Sequence, residues 1–338
     1  MTSPPRVLVL HEALGAHARP DELDALVQLR QVGDALRQLR CPVSTQDIGL
    51  DLGTGLAALQ RAGPDCVFNL VEGLNGRGEL IGFVPALLES ASIPFTGSGS
   101  AAINLSSHKI LAKQWMRACG IATPDWLALD GQERLAPPSA RDAQWIVKSL
   151  WEHASLGLDD GAVVAGVEAV SQRIARCAQT LGGAWFAERY IDGREFNISL
   201  LERGGQPHVL PIAEMAFVDY PPGKPKIVGY AAKWDERAPE FAATQRRFGT
   251  IDRHARQALE ALARECWSSF GLRGYARVDI RLDAAAKPWV LEVNANPCLA
   301  RDAGFFAAAA EEGLRFEQVV ERVLQAAIRS RPALRRTG

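Results

Sequence analysis

VLEVNANPCL, residues 290–299, sets a carboxylate and an amide inside an otherwise apolar strand. Side chains alternate across a strand, so Glu292 and Asn294 share one face and Leu291 and Val293 the other. Burying a carboxylate beside an amide is costly unless something satisfies both. A hard cation does so, because oxygen donors suit Mg²⁺; a polar strand end at the surface is the alternative. Just upstream, ARVDIRLD (276–283) sets Arg277, Asp279 and Arg281 on one face by the same rule. A short turn joins the two stretches, so they are expected to pair as a hairpin. Asp279 then lies beside Glu292 and Asn294, with Arg277 as a fixed positive charge next to them. Metal and arginine together suit a polyphosphate, where the cation bridges oxygens and the guanidinium offsets developing charge.

Upstream of the hairpin, short apolar strands alternate with helical patterns over the first hundred residues. Strands at 6–10, 42–48 and 66–73 and helices at 21–39, 52–61 and 79–91 imply a parallel sheet. IPFTGSG (93–99) reads as strand and turn. A helix over 104–119 carries His108, Lys109 and Lys113. Strands are expected near Trp126 and over 145–148, then a helix over 167–181. Four strands follow in AWFAERYI, EFNISLLE, HVLPIAEMAF and IVGYAAKW, then helices over 248–270 and 313–329 on either side of the hairpin. Val7, Ile146, Val278 and Val290 are the expected core of these strands.

The 338 residues exceed one simple core, and more than one domain is expected. Net charge is -1, which leaves no electrostatic footprint for nucleic acid or an anionic membrane. The tail RSRPALRRTG is basic but short. Six cysteines form no CxxC pair, which argues against a zinc site or a disulfide framework. The opening MTSPPRVLVLHEALG has too short an apolar run for a signal peptide, and no stretch approaches 18 apolar residues. A cytoplasmic, reduced protein without nucleic-acid or membrane partners is expected.

The chain has no GxxxxGK[ST] loop, kinase signature, HExxH or GxSxG. TGSGSAA (96–102) matches a dinucleotide fingerprint only loosely. Lys148 ends the apolar strand WIVK, and the small residues of 153–157, with Ser155 and Gly157 among them, would let backbone N–H groups approach phosphate. Lys109 is a second compact cation suited to phosphate oxygens.

Seven segments, in order, carry a resemblance: NLVEGLNGRGE, IPFTGSGSAAINLSSHKILAK, IVKSLWEHASLGL, AERYIDGREF, GYAAKW, ARVDI and LEVNANP. Together they resemble the D-alanine–D-alanine ligase branch of the ATP-grasp superfamily over nearly the whole chain. The resemblance implies a three-domain α/β and α+β fold: an N-terminal parallel-sheet domain (1–108), a small central α+β subdomain (109–189) and a C-terminal α+β subdomain (190–338). It also implies an ATP-dependent carboxylate–amine ligase working through an acylphosphate. Lys109 and Lys148 would contact the α- and β-phosphates, Lys233 the γ-phosphate. Glu188, Tyr190 and Ile191 would line the adenine pocket and Glu195 would hold the ribose. Asp279, Glu292 and Asn294 would bind two Mg²⁺ ions, with Mn²⁺ as a substitute. Arg277 would stabilise the transferring phosphoryl group, and the backbone N–H of Cys298 the oxyanion. Residues 151–160, with Ser155 and Gly157, would close over the phosphates and exclude water. A homodimer is implied as well.

The chain departs from the family on the amino-acid side. Ala154 stands where a serine is usual, Trp234 where a tyrosine is, Glu72 where a histidine is, and Ala303 near the serine that holds the second carboxylate. Glu12 falls at the family's glutamate. Glu72 and Glu12 would receive an amino or guanidino group, Trp234 would offer a cation–π face, and Arg301 would take a carboxylate. The expected substrates are therefore small amino-acid-like acids and amines other than D-alanine. An authentic D-alanine–D-alanine ligase, a kinase of a small carboxylate or hydroxyl, and a non-catalytic nucleotide-binding regulator are the rivals.

Overall fold

The computed structural model describes residues 3–14, 20–128, 143–152 and 155–329. His153, Ala154 and residues 330–338, singled out above, lie outside them. In chain order, β1 (Val7–Glu12), α1 (Pro20–Gln38), β2 (Val43–Ile48), α2 (Leu52–Ala62) and β3 (Cys66–Asn69) build a parallel sheet ordered β2-β1-β3. Local chemistry bounds α2: the Asp51 carboxylate accepts the Thr54 N–H at 3.0 Å, and Gly63 closes the end at φ 54. After α3 (Phe83–Ser90), the strand expected at IPFTG contracts to one parallel bridge between Val67 and Phe95.

The single helix expected over 104–119 is two, α4 (Ser100–Ser107) and α5 (Lys109–Ala118). His108 breaks it with an extended ψ of 98, and its Nδ1 accepts the Leu111 N–H at 3.1 Å as the cap of α5. Burial holds the imidazole below its ordinary value, which keeps Nδ1 free to accept. The Lys109 N–H turns to the Leu150 carbonyl, at 3.2 Å.

β4 (Trp126–Leu127), β5 (Gln144–Ser149), β6 (Val163–Ala165), α6 (Val167–Leu181) and β7 (Trp185–Arg189) follow. Their four-stranded antiparallel sheet is ordered β4-β7-β5-β6. Val170, Ile174 and Cys177, at helical spacing on α6, cover its Trp145, Val147 and Trp185.

The last sheet is antiparallel, ordered β11-β10-β8-β12-β13 with β9 beside β8. It comprises β8 (Arg194–Arg203), β9 (Gln206–Val209), β10 (Ala213–Phe217), β11 (Thr244–Phe248), β12 (Tyr275–Leu282) and β13 (Pro288–Asn294). The helices between and after these strands are α7 (Tyr230–Trp234), α8 (Pro239–Ala243), α9 (Arg253–Phe270), α10 (Gly304–Glu311) and α11 (Phe316–Arg329). Three sequence expectations fail here. The strand over 208–217 splits into β9 and β10 around Pro211, which has no N–H for a ladder. IVGYAAKW is no strand: Gly229 lets the chain close on the Leu158 carbonyl, the Tyr230 N–H bonds to it at 2.9 Å, and α7 begins. The helix expected from 248 starts at Arg253, capped by Asp252, and β11 precedes it.

Val7, Val9 and Phe68 of the N-terminal sheet share one core with Phe316, Val320 and Val323 of α11, so the two ends of the chain pack together. Val7, Ile146, Val278 and Val290 are all buried, as their strands require. At Gly193, between β7 and β8, any Cβ would overlap the carbonyl oxygen of Leu282. Gly193→Ala is expected to cost roughly 1–3 kcal/mol in urea unfolding, because backbone on both sides must shift.

Candidate active site

A cleft of about 520 Å³ is lined by residues of the four-stranded and six-stranded sheets and reaches α1. The hairpin forms its floor. β12 and β13 pair antiparallel, with Asp279 opposite Glu292 and Arg277 opposite Asn294. The register shifts between Asp279 and Ile280, so Leu291 bulges and lines the cleft beside Glu292. Strict alternation had turned Leu291 away; instead Val290 and Val293, three apart, are the core residues of β13.

Arg277 grips Asp279 with two bonds, Nε to Oδ1 at 2.8 Å and Nη2 to Oδ2 at 2.7 Å, and its Nη2 lies 3.8 Å from Glu292 Oε1. Asn197 of β8, which the sequence did not assign to the site, donates to Asp279 Oδ1 at 2.9 Å. Burial pushes the Asp279 carboxyl above its ordinary range; Arg277 opposes this and Glu292 adds to it. Among the described residues no three His, Cys, Asp or Glu side chains gather as a metal cage. Two facing carboxylates with one amide nonetheless fit Mg²⁺, which takes few protein ligands and completes its shell with water and phosphate oxygens.

Lysines ring the opposite wall. Glu188, on β7, sits between Lys113 Nζ, at 2.6 Å, and Lys148 Nζ. Glu188 and Lys113 are almost completely buried, while Lys148 opens onto the cleft. Burial alone would raise the Glu188 carboxyl, yet the two ammonium groups hold it below its ordinary range. Lys109 donates from Nζ to the Glu152 carbonyl at 2.8 Å, and burial pushes its ammonium down to about 8. The Lys233 ammonium lies 5.8 Å above the Trp234 ring.

Tyr190, Ile191 and Glu195 line the same cleft. Buried Arg281 ties them together, donating to Ile191 O at 2.7 Å and to Glu195 Oε2 at 2.7 Å, with its carbon over the Tyr190 ring. Ser155 holds a left-handed φ of 64 and donates to Val228 O at 2.8 Å, which pins its loop to the segment before α7.

The end nearest α1 is acidic. Asp24 accepts the Cys298 thiol at 3.2 Å, and burial pushes both groups above their ordinary values, so Cys298 stays a thiol. Glu72 opens onto the cleft's water yet is walled by protein on its other sides; this desolvation pushes its carboxyl up to about 7, against the bond from Gln28 Nε2. Gln28, one turn after Asp24, also accepts the Leu299 N–H at 2.7 Å and so fixes the loop after β13. The backbone N–H of Cys298 has no hydrogen-bond partner among the described residues.

Fifteen of the eighteen residues named from sequence lie in this cleft; Gly157, Glu12 and Arg301 do not. Gly157 is required by packing, because a Cβ there would strike the Trp185 ring. Glu12 accepts the Gly76 N–H at 2.7 Å and braces a loop. Arg301 pairs with Glu317 at 2.8 Å and lies over the Phe316 ring. Sequence reading missed Asp24, Asn197 and Arg246 of the cleft. Asp24 and Gln28 look like the solvated face of an amphipathic helix, and nothing local separates the two readings.

A family model described as D-ala D-ala ligase C-terminus matches residues 115–325. A protein named D-alanine--D-alanine ligase from Synechococcus sp. (strain JA-2-3B'a(2-13)) is 31% identical over 301 residues, 87% of this chain and 85% of its own. An uncharacterized protein, y4sG, from Sinorhizobium fredii is 31% identical over 269 residues, 78% of this chain and 74% of its own. Among solved structures, the D-alanine–D-alanine ligase of Bacillus anthracis complexed with ATP superposes at a TM-score of 0.74 and 19% identity, covering 97% of this chain and 98% of that one.

Proposed function

The chain belongs to the D-alanine–D-alanine ligase family of ATP-grasp enzymes, and on that footing we propose that it joins a small amino-acid-like carboxylate to an amine other than in the D-alanine dimer. The observation that carries the reading is the cleft itself: the Asp279–Glu292–Asn294 floor, the lysine wall and the acidic end meet in one cavity. A carboxylate oxygen of the first substrate attacks the γ-phosphorus of ATP, the bond to the bridging oxygen breaks, and ADP leaves. The amine then attacks the acyl carbon, the bond to phosphate breaks, and the surplus proton passes to solvent.

Lys109 and Lys148 hold the α- and β-phosphates in this reading, and Lys233 meets the γ-phosphate. Glu188, Tyr190 and Ile191 seat the base and Glu195 the ribose. Asp279, Glu292 and Asn294 hold two Mg²⁺ ions, or Mn²⁺ in their place, which neutralise phosphate charge when bound. Arg277, fixed by Asp279, stabilises charge that develops on the transferred group. Ser155 anchors the loop over the phosphates and Cys298 acts only through its backbone N–H. Division of the chain near residues 108 and 189 and a homodimeric state belong to the same proposal. Among the described residues no helix is long and apolar enough to cross a membrane, and the six cysteines are free thiols, which suits a cytoplasmic enzyme.

Glu72, Asp24 and Trp234 surround the place of the first substrate's cationic group. A carboxylate binds a cation only when ionised. With Glu72 raised to about 7, kcat/KM for the first substrate should rise with pH and level off above about 7. Asp24, Glu12, Gln28 and Lys233 face the same carboxylate and shape the curve. Glu72→Gln should remove this limb; an unchanged profile would take Glu72 out of the pocket.

The experiment that tests the function measures phosphate release from ATP and Mg²⁺ with amino acids offered singly and in pairs, with mass spectrometry of products. Release that needs two partners, and a product mass equal to their sum minus water, is expected. D-alanine alone giving its dipeptide would make the chain an authentic D-alanine–D-alanine ligase. Phosphate transfer to one partner without coupling would make it a kinase.

A further inference from the structure

We propose that Glu152 is a positioning residue for the first substrate: its carboxylate holds the loop that carries Glu72 against the loop that covers the phosphates, and so sets how far the substrate's cationic end lies from the γ-phosphate. This rests on the ligase reading above and deepens it. Glu72 and Glu152 line the same cleft. Glu72 stands at the near end of a tight loop. Leu74 and Arg77 bridge its limbs, and Asn75 and Gly76 turn its tip at φ 55 and φ 69. Two carboxylates from elsewhere in the chain hold the tip and the far limb. Glu12 accepts the Gly76 N–H at 2.7 Å, and Glu152 Oε1 accepts the Gly78 N–H at 2.8 Å, across 74 positions. Gly78 has no left-handed φ. It is glycine for room, because a Cβ there would lie 3.1 Å from both carboxylate oxygens of Glu152.

Glu152 is fixed on its other side. Its N–H donates to Ser149 Oγ, at the end of β5, at 3.1 Å, and its carbonyl accepts Lys109 Nζ at 2.8 Å. The Lys109 N–H reaches the Leu150 carbonyl, and the His108 ring meets the Trp151 ring edge to face at 4.6 Å. Residues 149–152 are therefore tied to the start of α5, and the Glu152 carboxylate carries that anchorage across to the loop of Glu72. With the division proposed near residue 108, this bond joins the N-terminal part of the chain to the central one. The chemistry gives the link its purpose. The attacking carboxylate must come within about 3–3.5 Å of the γ-phosphorus. The substrate is held by its cationic group at the acidic end, and the phosphates by lysines on other elements. An error of about 1 Å between the two ends costs on the order of 100-fold in rate. The bond from Gly78 to Glu152 connects the two ends directly, and a charged acceptor makes it a strong one.

The test compares Glu152→Ala, Glu152→Gln and Gly78→Ala with the wild type, using ATP, Mg²⁺ and the pair of substrates that the enzyme couples. Glutamine keeps an oxygen for the Gly78 N–H and alanine has none. In Glu152→Ala, kcat/KM for the first substrate should fall about 100-fold, while KM for ATP stays at the wild-type value, because the group that meets Lys109 is the backbone carbonyl. Glu152→Gln should recover most of the loss. Gly78→Ala, which crowds the same carboxylate from the other side, should lower kcat/KM for the first substrate with KM for ATP again unchanged. A loosened loop also lets water reach Glu72, whose carboxyl is raised by desolvation and which Gln28, Asp24, Lys233 and Glu12 face. The rise of kcat/KM with pH should therefore move to lower pH in Glu152→Ala and stay in place in Glu152→Gln; a general loss of stability would not move it. Full coupling by Glu152→Ala or Gly78→Ala, a loss in Glu152→Gln as large as in Glu152→Ala, or a loss that falls in KM for ATP would overturn the proposal and leave the ligase reading standing. A wild type that couples no pair at all would overturn both.

Discussion

Glu292→Ala should be folded and inactive, with turnover down by a factor on the order of 10³ or more, the range seen when a charge-stabilising group is removed from a site. The fold should survive for an electrostatic reason. Glu292 raises the Asp279 carboxyl, so its loss removes a like-charge neighbour while the two hydrogen bonds that Arg277 donates to Asp279 remain. Val290 and Val293, which anchor β13 in the core, are untouched. Circular dichroism and Tm should match the wild type, and the Tm gain on adding ATP with Mg²⁺ should be reduced. A folded variant with full activity would remove Glu292 from the metal site.

Glu188→Ala should be the most destabilising single change in the cleft wall, costing about 3–5 kcal/mol in urea unfolding at neutral pH. It strands two ammonium groups, one of which, on Lys113, is as buried as Glu188 itself. The remaining partners of Lys113 are the Thr123 hydroxyl, at 2.9 Å, and the Pro124 carbonyl, which carry no charge. The pH dependence gives the sign. A depressed carboxylate stabilises the fold above its unfolded value and loses that contribution as pH falls through the folded one. The wild type should therefore keep the contribution of Glu188 at neutral pH and lose it only in acid. The variant instead leaves Lys113 without its opposite charge, and burial already lowers that ammonium. Its deficit should shrink as pH rises and Lys113 gives up its proton. A deficit below about 1 kcal/mol would mean that the lysines are hydrated and the triad is a surface pair.

Period-two and period-3.6 patterns are local, and where one pattern runs unbroken the sequence placed the element. The parallel sheet of the first hundred residues, α6, and the β12–β13 pair were all legible. The same rule failed where a single residue interrupts the pattern for a reason outside it. His108 ends α4 because its ring caps α5 and the Lys109 N–H finds the Leu150 carbonyl. Gly229 starts α7 because the Leu158 carbonyl lies where a Cβ would be. Leu291 bulges because β12 and β13 slip register beside Asp279. Arg301 looked like a carboxylate ligand from its neighbours in sequence, and Glu317 of α11 takes it away.

By itself the sequence determined the chemistry of the floor. Arg277 shares a face with Asp279, and Glu292 with Asn294, because alternation is a property of extended backbone; the hairpin pairing then sets the two pairs side by side. Only the tertiary structure decided the walls. Asp24 reaches Cys298 across 274 positions, Lys148 reaches Glu188 across 40, and Arg246 meets the start of α10 through a sheet edge. No local pattern encodes such pairs, because the partners lie far apart in the chain and nothing near either one names the other. They become a site when packing takes them out of bulk water and leaves them facing one another.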